Sequence, residues 1–203
     1  QNNIDKLEAG TFKYLTNLDV LSLNNAKIGI LEEGAFSGLQ FLSTLSMHGN
    51  KFPNITSNMF HSMWNLQNLL LYQNSFKILP SGMFKHSESL INLELVDGKI
   101  ETIEEGAFEG VNVRILYLYN NSISKLSKGC FRGLTEVISV ILDNNKINQI
   151  NGDEFEGSFN IRRLNLQNNS IHTLNSNAFI HLKNLTTLNL EKNLINNIEP
   201  NTF

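Results

Sequence analysis

The residue types that carry catalysis or bind metals are few in this sequence, and their spacing does not suit either task. The histidines are His48, His61, His86, His172 and His181. No two have the four-residue spacing of a helical metal-binding pair, and no carboxylate cluster accompanies them. Cys130 is the only cysteine, so an internal disulfide is excluded, and no histidine lies near it in the repeat register to activate it as a nucleophile. We therefore predict no catalytic residue, no metal and no cofactor.

Two other sets of side chains indicate surface chemistry. Arg114, Arg162 and Arg163 form a small basic spot that we interpret as a solvated face, although it could meet an acidic partner. Four Asn-x-Ser/Thr sequons are candidate N-glycosylation sites: Asn54, Asn120, Asn168 and Asn184. Among 31 asparagines and 27 serines and threonines, about four sequons arise by chance, so they are weak evidence for secretion. A glycan on Asn120 would lie next to Tyr119.

The composition narrows the classes of protein that this chain can be. It has 203 residues, of which 41% are hydrophobic and 17% charged, so it can bury a core and is not a disordered chain. No apolar run reaches the roughly 18 residues of a membrane helix, so we expect no membrane insertion in this segment. The net charge of −3 argues against a nucleic acid as partner.

A repeat of 24 residues organises the whole chain. Phenylalanine recurs at this spacing, with a single interval of 23, at Phe12, Phe36, Phe60, Phe84, Phe108, Phe131, Phe155, Phe179 and Phe203. Numbering each unit from Leu18 and its equivalents gives the pattern LxxLxLxxNxIxxLxxxxFxxLxx. The complete repeats are 18–41, 42–65, 66–89, 90–112, 113–136, 137–160 and 161–184, between partial repeats 1–17 and 185–203. We predict one solenoid over residues 1–203 and expect it to be an internal fragment without caps.

Asparagine dominates position 9 of the repeat. It is present at Asn2, Asn50, Asn74, Asn121, Asn145, Asn169 and Asn193. An amide side chain can both donate to and accept from the backbone of a neighbouring coil, so we expect a structural ladder along this column. Ala26 and Gly98 occupy the same position and should interrupt it.

Positions 4 to 6 alternate apolar and polar residues, which predicts one short strand in each unit. The return leg makes successive strands parallel. Parallel sheets covered on both faces carry continuous apolar runs, so the alternation indicates that one face is open to water. Because the return legs are wider than a strand, the stack should curve with the sheet on the inside.

The outward positions 5 and 7 are unevenly populated along the sheet. Strands three to six carry the predicted ligand-binding residues Leu70, Tyr72, Glu94, Val96, Tyr117, Tyr119, Ile141 and Asp143. Six of these eight are apolar or aromatic, whereas the four outer strands carry only polar residues there. Contiguous exposed apolar surface is typical of an interaction site. The alternative is that tyrosine and β-branched residues simply suit strands.

The unit LxxLxLxxN with its phenylalanine column resembles the leucine-rich repeat, in the typical 24-residue class of animal extracellular proteins. Toll-like receptor ectodomains and Slit-type guidance proteins share this pattern. The resemblance implies an α/β solenoid: a horseshoe with a parallel sheet on its concave face and irregular or short helical convex legs. Family members usually carry cysteine-rich caps, which this sequence lacks.

The pattern and the resemblance together favour a recognition protein over an enzyme. We expect no enzymatic activity, because no acid/base or nucleophile pair repeats in the unit. The first hypothesis is ligand recognition by a cell-surface receptor ectodomain, with a protein or peptide ligand and a homodimeric parent protein. The alternative is a secreted or matrix adhesion scaffold. The resemblance implies an extracellular location, and innate immunity is a setting by analogy alone.

Overall fold

The computed structural model of the chain describes residues 2–203, which form a stack of coils with two short strands in most units. The strands are β1 (Lys6–Leu7), β2 (Val20–Ser22), β3 (Ile30–Leu31), β4 (Thr44–Ser46), β5 (Asn68–Leu70), β6 (Ile78–Leu79), β7 (Asn92–Glu94), β8 (Thr102–Ile103), β9 (Ile115–Tyr117), β10 (Lys125–Leu126), β11 (Ser139–Ile141), β12 (Gln149–Ile150), β13 (Arg163–Asn165), β14 (Thr173–Leu174), β15 (Thr187–Asn189) and β16 (Asn197–Ile198). Within residues 2–203 the helical structure is a single 3-10 turn, Asp153–Phe155.

Eight of these strands form one parallel sheet in the order β2-β4-β5-β7-β9-β11-β13-β15. Neighbouring strands pair equivalent repeat positions, as in Ser46 with Leu70 and Ile141 with Tyr117. The leucines at positions 4 and 6 point into the core, and the residues between them point to the other face. The predicted parallel-strand solenoid is therefore confirmed, with return legs built from turns and short strands where short helices were also considered.

The return legs carry a second set of strands that the sequence pattern did not reveal. These two-residue strands pair in three small parallel sheets, β1-β3, β6-β8-β10 and β12-β14-β16. The small sheet β1-β3 is not continued in the next unit, and Pro53 explains why. Its equivalent one coil earlier, Gly29, donates its backbone N–H to the Asp5 carbonyl oxygen at 3.0 Å, and proline has no N–H to donate.

The core is a set of stacked columns of identical side chains. Leucine, valine and isoleucine from positions 1, 4 and 6 line one side, and the phenylalanine column lines the other. Phe36, Phe60, Phe84, Phe108 and Phe131 are fully buried, and adjacent rings lie 6.0–6.4 Å apart, nearly parallel. Each ring therefore buries its faces against the coils above and below it.

The asparagines of position 9 bind the coils together through the backbone. The Asn145 Nδ2 donates to the carbonyl oxygens of Leu118 and Leu142, both at 3.0 Å, and its Oδ1 accepts from the Ile123 N–H at 3.0 Å. Equivalent bonds are made by Asn50, Asn74, Asn121, Asn169 and Asn193. Asn2, near the end of the chain, is exposed.

The repeat 90–112 is one residue short, and the pairing of strand β7 with β9 is reduced next to it. Asn112 donates to the Glu88 carbonyl oxygen at 2.6 Å, as Asn160 and Asn184 do to the coil before theirs. This places Asn112 at position 24 and the missing residue at position 23. Strand β7 then pairs with β9 through Glu94 and Tyr117 alone, whereas β9 and β11 pair through three residues.

Replacing one ladder asparagine should destabilise the protein measurably. In Asn145→Ala the carbonyls of Leu118 and Leu142 keep amide donors from Asn121 and Asn169, and the buried Ile123 N–H loses its acceptor. One buried unsatisfied donor costs about 2 kcal/mol, which urea unfolding measures. The matched control is the exposed Asn148→Ala, expected within about 0.5 kcal/mol of the parent. Equal losses in the two variants would contradict the role of the ladder.

Candidate functional site

The open face of the eight-stranded sheet presents two rows of side chains, at positions 5 and 7. Strand alternation turns these residues away from the leucine core. Each strand ends at position 5, and three residues later, at position 8, the backbone enters the left-handed region at Asn25, Gly49, Gln73, Asp97, Asn120, Asn144, Asn168 and Lys192. Because all eight units repeat this geometry, residues of adjacent strands stand directly beside one another.

The structure brings the predicted residues of strands three to six together in the centre of this face. We call the set Leu70, Tyr72, Val96, Tyr117, Tyr119 and Ile141 the central patch. Tyr117 is the most exposed of them, at 38%, and Leu70, Tyr72, Tyr119 and Ile141 are half-buried. Glu94 and Asp143 are half-buried beside them.

Val96 departs from the expectation that it is exposed. It is only 7% accessible, yet it does not belong to the buried core of the solenoid. Its row neighbours are Tyr72 on one strand and Tyr119 on the other, about 4.8 Å away on each side. Val96 therefore lies buried at the base of the central patch, between positions that carry two tyrosines.

Aromatic contacts fix the shape of the central patch. The rings of Tyr117 and Tyr119 meet edge to face, with centroids 6.3 Å apart and an angle of 89° between planes. On the other side, His48 stacks on Tyr72 with centroids 4.3 Å apart. The Nδ1 of His48 is buried without a hydrogen-bond partner in residues 2–203. His48 lies on one of the strands predicted to be polar, but the structure joins it to the patch.

Two further residues of this face were missed by considering positions 5 and 7 alone. Ile115, at position 3, is 41% exposed and lies on the same strand as Tyr117. The period-two alternation extended one step toward the strand start would have found it. Asp97 lies at position 8, beyond the alternating pattern, and its backbone N–H donates to the Tyr119 carbonyl oxygen at 3.2 Å.

Three carboxylates surround the tyrosines. Burial raises the pKa of the Tyr119 phenol, and the negative charges of Asp97, Glu94 and Asp143 raise that pKa further. Asp97 accepts a hydrogen bond from the Asn120 Nδ2 at 2.7 Å. Asp143 accepts from the amides of Asn144 at 2.8 Å and Asn165 at 3.1 Å. The asparagines thus hold two of the three carboxylates in fixed positions.

Several polar side chains of the outer strands hydrogen-bond to one another. At one end Ser46 donates to Asn24 at 2.7 Å, and Asn24 donates to Ser22 at 3.0 Å. At the other end Asn189 donates to the Gln167 side-chain oxygen at 3.1 Å. The face therefore consists of an apolar and acidic centre between two hydrogen-bonded polar margins.

The remaining candidates lie outside positions 5 and 7 of the open face. Cys130 is fully buried in the return leg, where burial and the nearby Glu154 charge raise the pKa of its thiol well above its usual range, so it is a packing residue. Arg114, Arg162 and Arg163 are exposed, as are the sequon residues Asn54, Asn120, Asn168 and Asn184. Across residues 2–203 no three or more His, Cys, Asp or Glu side chains are grouped to hold a metal.

Among the described residues, no helix has the length and apolar character needed to cross a bilayer.

The comparisons with known proteins agree with this architecture. Residues 1–52 match the leucine rich repeat family, and residues 101–203, just over half of the chain, match the BspA type leucine rich repeat region. No curated protein sequence matches the chain.

Three solved structures illustrate the similarity. The TLR13–ssRNA13 complex shares 28% identity with a TM-score of 0.79, over 93% of this chain and 27% of that one. An LRR protein of Leptospira interrogans shares 28% identity with a TM-score of 0.71, over 98% and 49%. The Toll–Spatzle complex of Drosophila shares 23% identity with a TM-score of 0.70, over 95% and 29%, and shows the fold alone. The chain thus spans between about a quarter and a half of these proteins.

The titration of Tyr119 provides a direct check on the geometry of the acidic centre. We expect its phenol to ionise above the ordinary value of about 10, and neutralising its neighbours in Glu94→Gln/Asp97→Asn should lower that pKa part of the way back. The pH dependence of the tyrosine ring carbon signals in NMR measures it, with Tyr119→Phe assigning the resonance. An unchanged midpoint in the double variant would show that the carboxylates do not act on this ring.

Proposed function

We propose that this chain, which belongs to the leucine-rich repeat family, recognises a protein or peptide ligand through the central patch of its open face. The observation that carries the proposal is the contrast along one sheet. The same repeat positions are polar and mutually hydrogen-bonded at both margins, but apolar and aromatic in the centre. The margins form the same fold with polar residues at these positions. Folding therefore does not require apolar residues in the centre, and their exposure there is typical of an interaction site.

The chemistry of the patch suits a polypeptide partner. Tyrosines contribute a large rigid surface with a polar tip, which is why they are enriched among the residues that dominate binding energy. Four strands at about 4.8 Å spacing make the patch about 14 Å wide, enough for one loop or extended segment of a partner. Val96 and the edge-to-face pair of Tyr117 and Tyr119 give it a preformed shape.

The proposed function is the binding of a ligand without a catalytic step. Catalysis would need titratable groups that converge on a reacting atom. The thiol of Cys130 is buried in the return leg, and the open face presents tyrosines, carboxylates and amides without a nucleophile and base in contact.

We place this activity in the ectodomain of a cell-surface receptor, outside the cell. The support is the similarity in fold to TLR13 and Toll, whose structures contain ssRNA13 and Spatzle. The net charge argued against a nucleic acid as partner. Because the similar TLR13 structure is a complex with ssRNA13, the proposed function does not exclude such a ligand. A protein ligand is favoured over a nucleic acid because the three carboxylates around the central patch would repel phosphate groups. The four sequons are proposed as surface glycosylation sites, and a glycan on Asn120 would crowd Asp97, its hydrogen-bond partner.

The second candidate function is adhesion through contact between copies of the parent protein. One observation favours it: Phe41, Trp64 and Ile91, near the N-terminal ends of the open-face strands, are 59%, 68% and 64% exposed. Adhesion through this flank predicts a concentration-dependent dimer in sedimentation velocity that is lost in Trp64→Ser. A dimer that survives this change, or a monomer at all concentrations, would contradict it.

The binding proposal predicts a large effect of the paired tyrosines. Peptides selected by phage display on the parent protein should bind the Tyr117→Ala/Tyr119→Ala variant about 2 kcal/mol more weakly, roughly 30-fold, as measured by calorimetry. Tyr14→Ala is the matched control, because Tyr14 is 84% exposed and lies outside the open face. Thermal unfolding checks that both variants fold. If every selected peptide binds the double variant as tightly as the parent, the central patch is not the binding site.

A further inference from the structure

Positions 5, 7 and 8 of the open face hold four carboxylates, and three of them, Glu94, Asp97 and Asp143, lie around the two tyrosines; the fourth, Glu191, lies at one margin. The ion pairs of residues 2–203 join Lys6 to Glu8 and Glu32, Lys77 to Glu101, Lys128 to Glu156, and Arg132 to Glu105 and Glu156. None of them involves Glu94, Asp97 or Asp143. Rows 5 and 7 hold neither lysine nor arginine on any of the eight strands. Glu94, Asp97 and Asp143 therefore place three negative charges around the central patch without an ion pair among the described residues.

The arrangement places these charges on both sides of the tyrosine pair. Glu94 is the strand partner of Tyr117. Asp97 donates its backbone N–H to the Tyr119 carbonyl oxygen at 3.2 Å, and the Asp143 carbonyl oxygen accepts from the Asn120 N–H at 3.2 Å. Asp143 therefore lies beside Tyr119 on the next strand. A group bound over the tyrosine pair would be flanked by carboxylates from two strands, β7 and β11.

Two of the carboxylates are oriented by hydrogen bonds and can accept further ones. Asp97 and Asp143 each accept hydrogen bonds from neighbouring asparagine amides, at 2.7–3.1 Å. A carboxylate can accept about four hydrogen bonds, so both retain capacity. Since their orientation is already fixed by the amides, a bound donor would lose little free energy in ordering them.

We propose that the ligand of the open face presents an arginine side chain to this acidic centre, flanked by apolar residues; the inference rests on the proposed function. The guanidinium group stacks on tyrosine rings and donates in a planar fork that fits carboxylates. Tyr117 and Tyr119 supply the rings, and Glu94, Asp97 and Asp143 supply the acceptors. The apolar neighbours Leu70, Ile115 and Ile141 line the surface on which the flanking side chains of the ligand would pack.

The test uses peptides selected by phage display on the full chain, so that the probe does not depend on knowing the natural ligand. Selected peptides should be enriched in arginine next to apolar residues. Replacing that arginine by the neutral isostere citrulline should weaken binding by about tenfold or more, and lysine should restore part of it. The affinity of the parent protein should also fall with added NaCl.

The matching protein variant is Glu94→Gln/Asp97→Asn/Asp143→Asn, which keeps the side-chain shapes and removes the charges. It should bind the same peptides about tenfold or more weakly and lose most of the salt dependence. Glu88→Gln is the control, since Glu88 is exposed and lies outside the open face. Circular dichroism and thermal unfolding establish that the triple variant is folded.

The outcomes separate this inference from the proposed function. If the tyrosine double variant loses binding but the triple variant does not, or if the peptides lack arginine, the arginine inference is overturned and the binding site stands. If the triple variant binds a single-stranded oligonucleotide or acidic peptides more tightly than arginine peptides bind the parent, the ligand is anionic and the inference fails. If the tyrosine variant binds normally, the proposed site fails and the inference fails with it.

Discussion

Each coil of this protein can bury its apolar side chains only against the coils on either side of it, and that constraint organises the rest of the structure. A single unit has a core on one side of its strand and nothing else to cover it. Stacking satisfies this need when equivalent residues meet, and so the leucines and phenylalanines form columns. The same translation brings the backbone of each turn next to its neighbour, where a buried asparagine amide joins the two. Register, core and turn are thus consequences of one repeated contact.

The translation also explains why a function can be located on one face. Positions 1, 4, 6 and 9 are mostly buried against neighbouring coils, whereas most residues at positions 3, 5, 7 and 8 are half-buried or exposed. The open face can therefore change its residues without altering the fold. Its centre holds Tyr117, Tyr119 and Leu70, while its margins hold serine, asparagine and glutamine bonded to one another. Because the fold does not dictate these residues, the difference between the centre and the margins supports ligand recognition.

The period of the repeat made most of this architecture predictable, because a 24-residue translation leaves a signal in the sequence. The open face was predictable where strand alternation operates, as for Tyr117 and Ile141. Other features depend on information that the period does not hold. The two-residue strands of the return leg are defined by backbone bonds, such as the one that Pro53 cannot make. Val96 is buried although strand alternation turns it outward, and Asp97 acts on Tyr119 from position 8, beyond that alternation.

The shortened coil adds a local irregularity between two of the strands that carry the central patch, β7 and β9. With position 23 absent from residues 90–112, β7 and β9 share one paired residue, and the tyrosine pair stands on the strand just after this junction. A regular sheet would offer a ligand eight equivalent strands and no reason to prefer one position. Here the aromatic rings, the uncompensated carboxylates and the weakened strand pairing coincide. The strands at the centre are thus distinguished from the others by side-chain type, by charge and by backbone pairing, and each of these is a departure from the repeat that the fold itself does not require.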